Sequence, residues 1–493
     1  MISERLQRLK YVAGDLLMSN VAWLAYNCLR YELDAVHGRY PTLGRFLTSS
    51  NVEMGQLVFP LVMMCVYGLS GYYNEVFRKS RLHEFFVTLW SSVVNALIIF
   101  FVALINDVSN NRSFDYEMVF ILVVVLFVCV YGMRSVITTH TSGKIRRRQW
   151  SFNTLIVGCG AQAVAFGRKL DDTQASLGYK IMGYVSIPGE DDEAGDQPRY
   201  SLDEIERVCD ETDIKEIIVV PTTQHSESVL NTINRLFALN RPIKLPPDRM
   251  GMLLSKVRIS DMIGAPLVDI SSSNMGACGT NLKRLIDVIA SALLTVLLLP
   301  VYLIVAILIK CDSRGPVFYT QERMGYHNKP FKIIKFRTMV CNAEENGQPQ
   351  LSSDNDPRIT RVGRVLRKYR IDELPQFWNV LRGDMSIVGP RPERQYFIEQ
   401  ILKRVPAYAL LRQVRPGITS LGMVKFGYAK NVDEMVERLN YDILYLENMS
   451  LLNDFKILVY TIKVVLTGRG VRVYQVYQVY QVFQVFQVFQ VFQ

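Results

Sequence analysis

The 493-residue sequence lacks the cysteine pairs that stabilise small secreted proteins or bind structural zinc. Its eight cysteines are scattered, and no two of them form a C-x-x-C pair. This distribution argues against a disulfide framework and a structural zinc site, and it fits a reduced cytosolic environment. The N-terminus also lacks a short apolar core followed by a small-residue cleavage site, so we expect no removed signal peptide.

Charged residues are scarce as well, at 21%, while hydrophobic residues reach 49%, a balance that indicates a membrane protein. The charge is uneven: residues 1–150 carry a net +5 (15 basic, 10 acidic), residues 151–280 a net −6 (12 and 18) and residues 281–472 a net +11 (29 and 18). A basic last third can face phosphate groups or anionic lipid. No motif with base-reading or base-stacking spacing accompanies it, so we predict no nucleic-acid partner.

Four apolar segments occupy the first third of the chain, each close to the roughly 20 residues that a helix needs to cross a bilayer. Arginine and lysine cluster before the first segment, between the second and third, and after the fourth. The positive-inside rule predicts that residues 1–143 form a four-helix transmembrane bundle with both ends in the cytoplasm. Asp15 falls near the basic end of the first segment, where we expect an interfacial residue. The segments are Tyr11–Leu29, Leu57–Tyr73, Phe85–Ile105 and Met118–Thr138.

Residues 150–250 are predicted to form a Rossmann-like α/β domain. An apolar strand enters a glycine-rich turn, Gly158-x-Gly160-x-x-Ala163, and the helix Ala161–Leu170 follows. Alternation with later strands indicates a parallel sheet. Such a turn favours a phosphate, but the ribose-binding acid expected about 20 residues on is missing. We therefore predict no bound dinucleotide and a regulatory, assembly or spacer role. The later strands are Tyr179–Ser186, Glu216–Pro221 and Pro242–Leu245.

Residues 251–280 are irregular and are predicted to be a linker. A fifth apolar stretch, 285–309, follows, and Pro300 near its middle breaks or kinks a helix because proline lacks an N–H and clashes with the preceding turn. Basic residues at both ends of the stretch favour a cytoplasmic position for both ends. The residues alone leave two alternatives open, a re-entrant helix–break–helix and a kinked crossing helix.

Two adjacent carboxylates, Asp372 and Glu373, stand in the basic last third of the chain. A basic run precedes them at helical spacing, and Arg391 follows in a Gly-Pro-Arg-Pro turn. Acids that hold a divalent cation, beside arginines that hold phosphate oxygens, indicate a phosphoryl-transfer site. Pro375 disfavours helix at Leu374, so the acids should lie at or before the start of a helix. The basic run is Arg358, Arg361, Arg364, Arg367, Lys368 and Arg370.

The surrounding elements are predicted from their patterning. Val317–Gln321 and Phe331–Phe336 should pair as a hairpin, and Val432–Thr467 should be mostly helical, with an apolar stripe. The chain ends in seven VYQ and VFQ triplets, residues 473–493. A period of three matches neither a helix nor a strand, so we interpret this tail as low-complexity sequence.

Six ordered motifs resemble the catalytic region of bacterial polyprenyl-phosphate hexose-1-phosphate transferases, the undecaprenyl-phosphate galactose or glucose phosphotransferases. The resemblance covers a catalytic domain at residues 281–472, and the bundle and Rossmann-like domain ahead of it resemble the large membrane-bound form. The motifs are Lys283-Arg284-x-x-Asp287, the proline-broken helix, Lys335-Phe-Arg337-Thr-Met339, Asp354-x-Asp356-Pro-Arg358, Asp372-Glu373-Leu-Pro-Gln376-x-x-Asn379-Val and Gly389-Pro-Arg391-Pro.

The resemblance implies that a sugar 1-phosphate moves from a UDP-sugar to undecaprenyl phosphate, releasing UMP, as the first step of capsule, exopolysaccharide or O-antigen synthesis. It implies that Asp372 is the nucleophile and forms a phosphosugar ester, that Glu373 assists as metal ligand or base, and that Mg²⁺ held by the pair is the cofactor. The implied phosphate ligands are Arg391, Lys335, Arg337 and Arg358. The implied anchors of the membrane hairpin are Lys283, Arg284, Asp287 and Pro300.

The expected fold is therefore a bundle of four transmembrane helices, a Rossmann-like α/β domain and a mainly helical catalytic domain with a re-entrant helix. The implied location is the bacterial inner membrane with the active site on the cytoplasmic face, because the lipid acceptor stays in the leaflet and the sugar nucleotide is soluble. This argument favours the re-entrant alternative. Partnership with other polysaccharide-assembly proteins and homodimerisation remain open.

The sequence argues against two other functions. A membrane-anchored, NAD-dependent nucleotide-sugar dehydratase or epimerase would use a Tyr-x-x-x-Lys pair, and the chain has no tyrosine four residues before any lysine. A non-enzymatic scaffold for polysaccharide assembly would leave the clustered acids and arginines of residues 354–393 without a function.

Overall fold

A computed structural model describes most of the chain. Three predictions lie outside the described residues: most of the linker, the triplet tail and Asp354. The described residues are 4–33, 40–104, 112–172, 178–187, 198–220, 232–233, 235–237, 239, 241–246, 268–269, 275–341, 356–427, 429 and 431–467. They divide into two compact units, one holding the described residues up to 220 together with 241–269 and 276–282, the other consisting chiefly of Lys283 onward.

Four long helices occupy the predicted apolar segments of the first unit. In the described part of the chain, three of them are long and apolar enough to cross a membrane: Ser50–Leu69, Arg81–Val102 and Tyr116–Arg146. The first helix is 29 residues long but is not among these three, because polar residues such as Asp15, Ser19 and Asn27 lower its mean hydropathy. The helices are α1 (Glu4–Glu32), a short α2 (Leu43–Leu47), α3 (Ser50–Leu69), α4 (Arg81–Ile99, continued as a π-helix to Leu104) and α5 (Arg112–Arg146).

Asp15 of α1 is buried rather than interfacial, which corrects the sequence-based expectation. Its carboxylate accepts hydrogen bonds from the Arg134 guanidinium of α5, the shortest at 2.6 Å, and from the Tyr73 hydroxyl at 2.7 Å. Arg134 is fully buried and also donates to the Thr88 hydroxyl of α4. The pair is tolerated inside the bundle because each charge faces an opposite charge and further hydrogen-bonding groups.

The α/β part of the first unit contains a six-stranded sheet in the order β3-β2-β1-β4-β5-β6, in which all neighbours are parallel except the β5–β6 pair. This confirms the predicted parallel sheet and the helix after the glycine-rich turn. The order 3-2-1-4-5 is that of a Rossmann-type sheet. The elements are β1 (Phe152–Val157), α6 (Ala161–Asp172), β2 (Tyr179–Val185), β3 (Arg199–Tyr200), α7 (Ile205–Glu211), β4 (Glu216–Val219), β5 (Ile243–Leu245) and β6 (Val268–Asp269).

Gly158 in the turn after β1 is required by packing. Its φ is +125°, and a Cβ at this position would lie 2.2 Å from the Val220 carbonyl oxygen. Only glycine allows this conformation and this close approach. Gly158 therefore has a structural explanation in the packing of the turn against the end of β4.

The loop between α3 and α4 joins the helices of the first unit to its sheet. The Arg78 guanidinium donates to both carboxylate oxygens of Glu216 at 2.6 and 2.8 Å and lies 4.1 Å from the ring centroid of Tyr179. The Lys244 ammonium lies 3.0 Å from the same carboxylate. A buried acid between two cations and an aromatic face fixes the sheet against the helices.

The second unit is mainly helical and contains two small sheets. β7 and β8 form the predicted antiparallel hairpin, and the predicted helices near the C-terminus are also present. A parallel pair, β9 with β10, was not predicted. From its first helix the elements are α8 (Ala277–Leu297), α9 (Leu299–Asp312), β7 (Phe318–Met324), β8 (Pro330–Phe336), α10 (Arg361–Lys368), a 3₁₀ turn (Ile371–Gln376), α11 (Phe377–Arg382), β9 (Ser386–Val388), α12 (Gln395–Arg404), a 3₁₀ segment (Pro406–Gln413), β10 (Gly417–Thr419), α13 (Leu421–Lys425), α14 (Val432–Glu447) and α15 (Leu451–Thr467).

Candidate active site

The fifth apolar stretch forms two helices, α8 and α9, that meet at a bend of 59°. Pro300 lies in the first turn of α9, where a missing N–H costs no helical hydrogen bond. Both helices pack against the rest of the second unit: Leu294 of α8 lies against its main core, and Val305 of α9 packs with Phe336 of β8. The outer faces remain apolar and exposed, and they include Ile289, Leu293, Leu297, Leu303 and Ile307.

The polar residues at the start of α8 fasten it to the strand and helix that follow the acidic pair. Asp287 accepts from the Ser386 hydroxyl at 2.7 Å and from the Ile387 N–H at 3.2 Å. The Lys283 ammonium donates to the Asp454 carboxylate and to the Val388 carbonyl.

Arg284 completes this attachment. Its guanidinium donates to the carbonyls of Val380, at 2.9 Å, and Leu381, at 3.4 Å, near the C-terminus of α11. Carbonyls at a helix end have no partner within the helix and accept well from a cation. Lys283, Arg284 and Asp287 therefore all attach α8 to the rest of the second unit.

Asp372 and Glu373 lie together in the 3₁₀ turn that leads into α11, as their position before Pro375 predicts. Both side chains are buried, with 5% and 3% of their surface exposed. Arg370, immediately before the turn, has a left-handed backbone with φ 55°. Such conformations are unfavourable for non-glycine residues and concentrate at functional sites.

Three cations surround Glu373. The Lys335 ammonium of β8 donates to its Oε1 at 3.2 Å, and the Arg391 guanidinium donates to the same oxygen at 3.0 Å. The Arg370 guanidinium lies 3.8 Å from Oε2. By contrast, Oδ1 of Asp372 is buried and has no hydrogen-bond partner among the described residues. The turn therefore combines one neutralised carboxylate with one that is free to react.

The two carboxyl groups differ sharply in acidity. Burial, and next the charge of Glu373, raise the pKa of Asp372 to about 6 against the opposing effects of Lys335, Arg367 and Arg391. Burial also disfavours the ionised form of Glu373, but the charges of Arg391, Lys335 and Arg370 outweigh it and hold the pKa of that carboxyl well below its usual range. Asp372 is thus the more basic and more nucleophilic oxygen donor of the pair.

Arg337 does not occupy the position that the sequence suggests. Its guanidinium donates to the carbonyls of Arg314, at 2.6 Å, and Ser313, at 2.7 Å, just beyond the end of α9. A Cβ on Gly315 would lie 1.9 Å from this guanidinium. Arg337 therefore caps α9 and its following turn, which differs from the predicted binding of substrate phosphate.

Arg358 is also engaged locally. Its guanidinium donates to both oxygens of Asp356, at 2.9 and 2.6 Å, and this contact lowers the pKa of Asp356. Within the Asp-Pro-Arg motif, Asp356 and Arg358 thus form an ion pair. Of the four predicted phosphate ligands, the structure brings Lys335 and Arg391 to the acidic pair.

Two residues that sequence reasoning left without a role position the acidic turn. The buried Asn379 side chain accepts from the Ile334 N–H at 3.0 Å and donates to the Lys332 carbonyl at 2.8 Å, which ties α11 to the strand that carries Lys335. The Tyr302 hydroxyl of α9 donates to the Leu374 carbonyl at 3.0 Å. Asn379 stands within a quoted motif, but its spacing alone does not reveal a bond to a strand.

The described residues contain no group of three or more His, Cys, Asp or Glu side chains able to hold a metal ion. Magnesium, however, commonly keeps several waters and takes only one or two carboxylates together with substrate phosphates. The buried, unpartnered Oδ1 of Asp372 beside the ionised Glu373 meets that smaller requirement. The acidic pair therefore fits a magnesium ion that also binds substrate.

Comparisons with known proteins agree on one family. The family described as "Bacterial sugar transferase" matches residues 278–468, the stretch that contains the acidic pair and its cations. An Aeromonas hydrophila UDP-N-acetylgalactosamine-undecaprenyl-phosphate N-acetylgalactosaminephosphotransferase is 46% identical over 191 residues, 39% of this chain and 45% of that protein.

Two longer matches extend into the first unit. An Erwinia amylovora UDP-galactose-lipid carrier transferase is 30% identical over 66% of this chain and 70% of its own length. A Salmonella typhimurium undecaprenyl-phosphate galactose phosphotransferase is 28% identical over 93% of this chain and 96% of its own length. The chain therefore belongs to the bacterial sugar transferase family.

Proposed function

We propose that this protein transfers a hexose 1-phosphate from a UDP-sugar to undecaprenyl phosphate, releasing UMP and giving an undecaprenyl-diphosphate sugar. This is the initiating step of a surface polysaccharide. The named activities of the Salmonella and Aeromonas relatives support the reaction class. The observation that carries the proposal is the buried pair in which Glu373 is held by cations while Oδ1 of Asp372 has no partner.

In the first step an Asp372 oxygen attacks the phosphorus that carries the sugar. A bond forms between that oxygen and phosphorus, and the bond to the bridging oxygen breaks, so UMP leaves with the electron pair. In the second step an oxygen of undecaprenyl phosphate attacks the same phosphorus, and the bond to Asp372 breaks. A covalent intermediate divides one difficult displacement into two easier ones.

The surrounding cations address the main obstacle to this chemistry, which is repulsion between a carboxylate and an anionic diphosphate. Lys335 and Arg391 supply fixed positive charge beside Asp372. Magnesium, when bound by Asp372 and Glu373 with the substrate phosphates, supplies further charge neutralisation. Because its pKa lies far below neutrality, Glu373 is a weak base, so we assign it a role in binding and orientation rather than proton transfer.

We further propose that α8 and α9 dip into the cytoplasmic leaflet of the bacterial inner membrane and return. Their bend, the proline at it, and the basic residues at both ends support this, and so do the contacts of both helices with the second unit. A re-entrant pair keeps Asp372 on the side of the soluble sugar nucleotide and close to the lipid headgroup. A straight crossing would separate the two helices' attachments by the thickness of the membrane, about 30 Å.

Release of UMP tests the proposal directly. The purified full-length protein is incubated with each of a panel of UDP-sugars, with and without undecaprenyl phosphate, and UMP is quantified. We expect sugar-dependent release, one enzyme equivalent without lipid and continuous turnover with it. Asp372→Asn should abolish both, because an amide cannot form the phosphosugar ester; turnover by this variant would refute the nucleophile assignment.

Asp433→Asn is the matched control, because it makes the same substitution at an exposed position. Asp433 lies in the first turn of α14, where its carboxylate pairs with Arg404. Arg404 is itself exposed and is not one of the cations around the acidic pair, so this variant should release UMP like the unmodified protein. A dehydratase or epimerase would instead convert the sugar with no release of UMP, and a scaffold would leave the donor intact.

A further inference from the structure

Arg412 is a buried cation for which the structure provides no partner. It lies in the 3₁₀ segment Pro406–Gln413 with 7% of its surface exposed. No hydrogen bond or ion pair links its guanidinium to any described residue, and its Nε is fully enclosed. The ring centroid of Tyr408 lies 5.9 Å from its guanidinium carbon. Burying a charge without a partner costs considerable free energy.

The other buried arginines of the second unit are compensated. Within its described residues these are Arg337, which donates to carbonyls beyond α9, and Arg438, which pairs with Glu393. Burial lowers the pKa of Arg412, yet a guanidinium stays protonated at neutral pH. An always-charged group that has neither an acid nor a carbonyl as partner among the described residues is the arrangement expected where an anion binds from outside the chain.

Arg412 lines a cavity of about 20 Å³ together with Arg391. That volume accommodates one water-sized group, such as a single phosphate oxygen. No acidic side chain is among the residues that line the cavity. Arg391 thus contributes to the cavity and also donates to Glu373 of the acidic pair. The remaining lining includes Gly325, Tyr408, Pro390 and Pro416.

We propose that Arg412 binds an oxygen of the donor's nucleotide phosphate, the one that departs within the nucleoside monophosphate. The assignment rests on the proposed function, which places the attacked phosphorus beside Asp372 and Arg391. A diphosphate presents its second phosphate immediately next to the first. When the bridging bond breaks, negative charge develops on this leaving phosphate, and a largely buried guanidinium stabilises it.

Arg412→Met tests the assignment in the full-length protein. Methionine replaces the unbranched apolar stem of the side chain and removes the charged guanidinium. UMP serves as probe, as product inhibitor of sugar transfer and as ligand in thermal unfolding. We expect the inhibition constant of UMP and the KM for UDP-sugar to rise at least tenfold, equivalent to about 1.4 kcal/mol. The KM for undecaprenyl phosphate should not change, and Arg412→Lys should recover part of the UMP affinity.

The unfolding temperature gives a second measurement, because the variant that loses UMP affinity should be the more stable protein. Without ligand, Arg412→Met should unfold at a higher temperature than the unmodified protein, because an uncompensated buried charge is lost. UMP should raise the unfolding temperature of the unmodified protein and not that of the variant. Arg438→Met is the matched control: its arginine is equally buried but paired with Glu393, so its loss should lower the unfolding temperature.

Four results would contradict the assignment, each for a different reason. A lower unfolding temperature for unliganded Arg412→Met would show a structural role and overturn the assignment, as would an unchanged inhibition constant for UMP. A raised KM for undecaprenyl phosphate with unchanged UMP inhibition would move the site to the lipid phosphate. If the unmodified protein releases UMP from no UDP-sugar, the proposed function fails and the assignment fails with it.

Discussion

The acidity of Asp372 predicts the pH dependence of the first chemical step. The nucleophile must be ionised, and its pKa is raised to about 6 by burial and by the charge of Glu373. With that value, about nine tenths of the sites are ionised at pH 7 and about one tenth at pH 5. UMP release in the absence of lipid should therefore fall about tenfold between these two pH values.

Glu373→Gln provides the decisive comparison. Removing the neighbouring negative charge should lower the pKa of Asp372, while Lys335 and Arg391 remain. Adjacent charges ordinarily shift a carboxyl pKa by about 1–3 units. The acidic limb of the pH profile should move to lower pH by an amount of that order, even though the maximal rate of the variant is reduced.

The assay is single-turnover UMP release from UDP-sugar without lipid, measured by rapid quench across the acidic range. Omitting the lipid removes the titration of its phosphate from the profile. His327→Asn is the control. Burial, and next the charges of Lys329 and Arg415, already lower the pKa of that histidine. Asparagine tolerates the left-handed backbone of this position, where φ is 52°. This variant should keep the midpoint of the unmodified protein.

Unfolding does not account for the expected loss. The pKa of Asp372 is raised in the folded state, so its protonation on acidification favours the folded state. The pKa of Glu373 is depressed in the folded state, so this carboxylate stabilises the fold at pH values above its ordinary pKa. That stabilisation is lost only as the pH falls toward the folded-state pKa, well below the range tested. A midpoint unmoved in Glu373→Gln would refute this account of the nucleophile.

Two further predictions concern the metal and Arg337. Chelation of magnesium should stop UMP release from UDP-sugar, with recovery on adding magnesium back, and full activity in excess chelator would remove the metal from the mechanism. Arg337→Met should lower stability by about 2–4 kcal/mol, because the carbonyls after α9 lose charged donors, and it should leave the KM for UDP-sugar of the folded protein unchanged. Thermal unfolding and steady-state kinetics measure the two effects, and a raised KM without destabilisation would return Arg337 to the phosphate ligands.

Local sequence determined much of this protein. Long apolar runs, strand–helix alternation and the proline within residues 285–309 predicted the long helices, the parallel sheet and the break, because each depends on spacing along one segment. The position of Asp372 and Glu373 before α11 followed from the restriction that Pro375 places on the preceding residue. These features involve interactions over only a few residues, so periodicity and backbone sterics suffice.

Tertiary structure alone decided which charges meet. The sequence around Asp15 is that expected of an interfacial acid. In the structure it is buried and pairs with Arg134, which lies more than a hundred positions later in the chain. Lys335 and Arg337 are two residues apart on one strand and its extension, but one reaches Glu373 and the other caps α9. Burial and charge pairing depend on distant segments brought together by packing, and no local pattern in the chain encodes which of two basic residues the core will use.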